Sequence, residues 1–122
     1  MEDWELEFQW LRVQHIVKET MSRDKLPDLQ AILYLVGIQE LGLLKNRYTK
    51  EEKQDLMHIA VCKLLSFEGY YEFVGRDQDG WPHYDQVRPL PKNDVEAQER
   101  QLKILTIEYF KQLEVENGGF GI

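Results

Sequence analysis

The segment from residue 29 to 44, "LQAILYLVGIQELGLL", constrains the fold more than any other part of the chain. Its apolar residues do not keep to one stripe but run almost all the way round a helix, the pattern of a helix packed on several sides. Such a helix needs other elements about it, and the rest of the chain must supply them. Gly37 lies inside it, where glycine costs about 1 kcal/mol against alanine; close approach of a neighbouring helix is the expected compensation. Leu26-Pro27-Asp28 opens it, with proline suited to the first turn and an acid favourable there.

Spacing defines the partners. Leu6, Trp10, Val13 and Val17 fall at i, i+4, i+7 and i+11, one stripe of a helix over residues 3 to 21. Trp4, Phe8, Leu11 and His15 repeat that spacing about half a turn away, because each residue advances roughly 100°. One face serves the core, and the other asks for a separate cover. Thr49 and Glu52 fit a capping box, starting a helix to about residue 67 whose apolar centre is Leu56, Ala60 and Leu64, flanked by Met57 and Val61. Asn93 or Asp94 caps a last helix, over residues 94 to 116, with Val95, Leu102, Leu105, Tyr109 and Leu113 as its stripe.

Between the third and fourth helices the sequence changes character. "GYYEFVGRDQDGWPHYDQV", residues 69 to 87, is β-prone on both sides of Asp79-Gly80, a two-residue turn signal, and predicts a hairpin over about 70–87. "RPLPK" then reads as an extended connector over 88–92, since proline and the residue before it disfavour helix. Asn117-Gly118-Gly119 ends the last helix and begins a flexible tail over 117–122. The expected fold is mainly α, a four-helix bundle-like single domain over residues 1–122 with a β-hairpin inserted between helices 3 and 4. Its 122 residues suit one domain, and 43% apolar content rules against disorder.

The net charge of -7, from 22 acidic and 15 basic residues, opposes phosphate backbones and anionic membrane surfaces, so neither nucleic acid nor membrane is an expected partner. The apolar run at 29–44 is broken by Gln30, Gln39 and Glu40 and falls short of a bilayer span. One cysteine, Cys62, gives no intrachain disulfide, and "MEDWELEFQW" lacks the basic and apolar regions of a secretory signal. A cytoplasmic location is expected.

Candidate chemistry centres on the third helix. Glu51, Asp55, His58 and Cys62 share one face, and the Asp55-x-x-His58 spacing lets a helix offer a carboxylate and an imidazole to one zinc or iron ion. Di-iron bundles use that element twice, with glutamates from two more helices; here it occurs once. Glu40 extends the stripe Leu29, Leu33, Val36 and needs a partner, with His15, His58 or a lysine as choices. Cys62 sits in mid-helix without a helix N-terminus to activate it and reads as a packed apolar residue. Asp77-Gln78-Asp79-Gly80 resembles part of a calcium loop, but Arg88 stands where that loop needs its bidentate glutamate. On the hairpin, Trp81, His83 and Asp85 alternate to one face, with Tyr84 beside them, as a ligand surface, a proton-transfer pair or plain cross-strand packing.

The expected function is a non-catalytic helical protein–protein interaction or scaffold module, self-associating as a homodimer and needing no cofactor. Its contact residues are Trp4, Phe8, Leu11 and His15, or Trp81, His83, Tyr84 and Asp85. The alternatives are a metal-binding or hydrolytic enzyme using Asp55, His58, Cys62 and Glu40, or a small-ligand pocket beside Trp81, His83 and Tyr84.

Overall fold

A computed structural model of the chain describes residues 1–43, 45 and 47–117. The protein is mainly α: among the described residues there are four helices, with a two-stranded antiparallel hairpin between the third and fourth. In chain order these are α1 (Asp3–Thr20), α2 (Leu29–Leu41), α3 (Lys50–Ser66), β1 (Tyr71–Arg76), β2 (Pro82–Gln86) and α4 (Val95–Asn117). The expected tail beyond residue 117 lies outside the described residues. The chain forms two compact units, one of Met1–Ile32 with the residues from Asn93 onward, the other of Leu33–Lys92.

In the first unit α1 and α4 lie side by side. The stripe Leu6, Trp10, Val13 and Val17 is buried on α1, and Leu105, Tyr109 and Leu113 are buried on α4, as their spacing requires. Val95, placed at the start of the α4 stripe by its spacing, is instead exposed, because it occupies the first position of the helix. Ile107 and Phe110 are buried as well, and the buried Thr106 satisfies its hydroxyl by donating to the Leu102 carbonyl at 2.6 Å. Asp94 is the cap of α4, its Oδ1 accepting from the Ala97 N–H at 2.8 Å. The two helices run in the same direction, as two contacts show: Arg100 donates to Asp3 at 2.7 Å near the start of both, and further along each Arg12 donates to Glu114 at 3.0 Å.

The entrance to α2 departs from expectation by two residues. Asp28 is the cap, with Oδ1 accepting from the Ala31 N–H at 2.9 Å, so Pro27 stands outside the helix instead of in its first turn. The Pro27 carbonyl accepts from the Gln14 side chain on α1 at 2.9 Å.

In the second unit α2 meets α3 at Gly37. A Cβ placed there would stand 2.1 Å from the Leu56 carbonyl oxygen, so only glycine allows the two backbones to approach this closely. Leu56, Ala60 and Leu64 form the fully buried line of α3. Both halves of the capping box are made: Thr49 Oγ1 accepts from the Glu52 N–H at 3.1 Å, and Glu52 Oε1 from the Thr49 N–H at 2.9 Å. The hairpin lies against α3.

Candidate functional site

The hairpin is not closed by a two-residue turn. Five residues, Asp77 to Trp81, join the strands, and a bulge lies between Phe73 and Gly75 in the register Tyr71↔Gln86, Glu72↔Asp85, Phe73↔Tyr84, Gly75↔His83. Asp77 organises the loop. Its Oδ1 accepts from the N–H groups of Asp79 at 2.9 Å and Trp81 at 3.0 Å, its backbone N–H donates to the Trp81 carbonyl, and Gly80 takes a φ of 87° that suits glycine. The other carboxylate oxygen, Oδ2, lies 2.9 Å from His83 Nε2. The histidine–aspartate pair of the hairpin is therefore His83 with Asp77. Asp85, expected as a neighbour of His83, pairs across the sheet with Glu72. The His83 hydrogen bond, and after it the Trp81 N–H, holds the Asp77 carboxyl below its ordinary value. Both side chains are well exposed, which fits a loop brace better than a proton-transfer site.

Trp81 turns inward. It packs against the buried cluster of Leu41, Tyr48 and Leu56, together with Tyr34 and Ile38. Tyr48 closes the cluster, meeting Tyr34 edge-on at 6.1 Å and donating its hydroxyl to the Leu43 carbonyl at 2.6 Å. Arg76 pins the hairpin to the same place. Its guanidinium donates to the carbonyls of Glu40 at 2.7 Å and Leu41 at 3.0 Å, oxygens left open at the end of α2, and to Gly80 in the loop at 2.7 Å. No sequence motif marks this contact, because it joins residues 35 and 36 positions apart. Tyr84, half-buried, meets Phe73 edge-on at 5.6 Å; burial, followed by the Glu40 carboxylate, pushes its phenol up to about 12. At the far end of the hairpin the Arg88 guanidinium stacks on Tyr70 at 4.1 Å and donates to the Glu68 carbonyl, fixing the start of the connector.

On α3 the helical spacing brings His58 Nε2 to 3.5 Å from Cys62 Sγ. Asp55 and His58 are exposed whereas Cys62 is buried, and burial pushes its thiol up to about 11. A protonated thiol is a poor nucleophile and a poor metal ligand. Glu40 lies 3.7 Å from Lys63, which gives its carboxylate a lysine partner. Among the described residues no three His, Cys, Asp or Glu side chains come together to hold a metal ion.

The second stripe of α1 stands open. Trp4 is 69% exposed, Phe8 64% and Leu11 44%, and His15 is exposed beyond them. A chain normally hides such a run of large apolar side chains. A groove of about 660 Å³ also runs along α1 and α4, floored by Leu6, Trp10 and Ala97. Its basic side chains are engaged within the chain: Arg100 bonds Asp3 and the Met1 carbonyl, and Lys103 lies over the Trp10 ring at 5.5 Å.

These features define a small mainly α protein with a braced hairpin and an open aromatic helix face. No family model, curated protein or solved structure matches the chain. No helix among the described residues is long and apolar enough to cross a membrane.

Proposed function

We propose that this chain is a non-catalytic protein–protein interaction module that self-associates through the outer face of α1. The observation that supports it is the joint exposure of Trp4, Phe8 and Leu11 on one side of one helix. Aromatic side chains are enriched at interfaces and among the residues that dominate binding energy, and a two-fold dimer is the commonest way for one patch to be covered. The hairpin is the weaker candidate, since Trp81 is spent on the core and His83 on Asp77. The acidic balance disfavours nucleic acid, and a single buried cysteine suits a cytoplasmic setting.

Light scattering after size-exclusion chromatography tests the reading. The wild-type chain is expected to gain mass toward a dimer up to high micromolar concentration, and Trp4→Glu with Phe8→Glu to raise the dissociation constant at least tenfold while leaving helicity intact. A chain that stays monomeric throughout that range overturns it.

A further inference from the structure

We infer that the groove between α1 and the start of α4 takes a basic amphipathic helix of another protein, its apolar side chains on the groove floor and its lysines or arginines against both walls. The inference stands apart from self-association, since Trp4, Phe8 and Leu11 do not line the groove.

Two observations carry it. The groove holds about 660 Å³ above a floor of Leu6, Trp10 and Ala97, a size at which concave sites take ligands. Its α1 wall spans positions 3 to 10, two helical turns, or about 10 Å at 1.5 Å per residue. A helix with basic side chains at i, i+4 and i+7 covers the same length, and laying an apolar helix face into a groove is a common mode of recognition. The floor already accepts a cation, since Lys103 Nζ lies over the Trp10 ring at 5.5 Å.

The second observation is charge. Residues 1–32 and 93–122, the unit that holds the groove, carry 13 acids against 7 bases, whereas residues 33–92 carry 9 against 8, so nearly all of the net charge of -7 belongs to the groove's unit. Within the groove, Asp3 is used by Arg100 and Asp94 by the Ala97 N–H, and the basic residues Arg100 and Lys103 are engaged as well. Glu7 on one wall, and Glu96 and Glu99 on the other, form no ion pair among the described residues. Glu96 lies in the first turn of α4, where an acid offsets the helix dipole; Glu7 and Glu99 lie beyond the first turn and have no such local reason. Acid, apolar floor and acid across the groove complement base, apolar strip and base across a helix.

The probe is a synthetic leucine–lysine peptide two heptads long, with leucines along one helix face and lysines on both flanks. Fluorescence anisotropy of the labelled peptide is expected to show saturable binding to the full chain, weakened at least tenfold by Glu7→Lys with Glu99→Lys. Glu51→Lys with Glu72→Lys makes the same change in net charge at exposed positions outside the groove, and is expected to leave binding within about twofold. A peptide of the same composition with its leucines scattered round the helix is expected to bind the wild-type chain at least tenfold more weakly. Equal loss in the two double variants, or equal binding of the two peptides, means attraction to net charge alone and overturns the groove as the site. No binding of the amphipathic peptide overturns it outright. The peptide comparison uses the wild-type chain, so it decides the matter whatever the charge reversals do to stability.

Discussion

Asp77 holds three groups with one carboxylate: two backbone N–H groups through Oδ1 and His83 through Oδ2. Those contacts favour the ionised form, so its carboxyl lies below the ordinary 3.8, and the folded loop gains from it above the unfolded value and loses that gain as pH falls through the folded one. Asp77→Asn keeps an acceptor for the turn but not the charge facing His83, and Asp77→Ala removes both. Thermal melts at pH 7 are expected to rank wild type above Asp77→Asn and Asp77→Ala lowest, with the gap between wild type and Asp77→Asn closing toward pH 3. A gap that stays constant with pH contradicts the role given to the charge. The turn chemistry of Asp77 to Gly80 is legible in the residue types alone. That His83 pairs with Asp77 and not Asp85 is not, because the pairing depends on a five-residue loop that carries Asp77 to the opposite strand.

At the scale of elements, the contact of α2 with α3 turns on one missing methyl group. Alanine at residue 37 gains about 1 kcal/mol of helix propensity, yet its Cβ would meet Leu56 backbone at 2.1 Å, and backbone cannot rotate aside as a side-chain tip does. The steric effect wins. Gly37→Ala is expected to destabilise the fold by about 3 kcal/mol, the upper part of the usual overpacking range, in denaturant titration; a neutral or stabilising effect contradicts the close crossing. A glycine within an apolar helix announces such an approach in the sequence, but not which residue approaches. The caps at Thr49 and Asp94 were equally legible, since each is settled within three residues of chain. The Arg76 brace was not. A guanidinium serves any exposed carbonyl, and only folding brings the end of α2 and the hairpin loop within its reach.

For the whole molecule, groups that burial keeps protonated weaken the fold at alkaline pH. Cys62 is raised from 9.0 to about 11 and Tyr84 from 10.0 to about 12, both by desolvation first. Groups with raised folded values stabilise the fold fully below their unfolded values and lose that contribution as pH rises toward the folded ones. Denaturation midpoints measured at pH 7.5, 9 and 10.5, pH values chosen for the 9.0 and 10.0 unfolded limits, are expected to fall over the last interval. Less of that fall is expected in Cys62→Ala; an equal fall in the variant removes the thiol from the account. The sequence by itself determined the four helices, the inserted hairpin, the buried stripe of α1 and the existence of a second stripe, because periodicity and capping are local properties written in short windows. Only the tertiary structure decided that Trp81 belongs to the core, that Glu40 faces Lys63, and that Trp4, Phe8 and Leu11 remain open. Those outcomes depend on which distant segments share one space, and no short window of sequence holds that information.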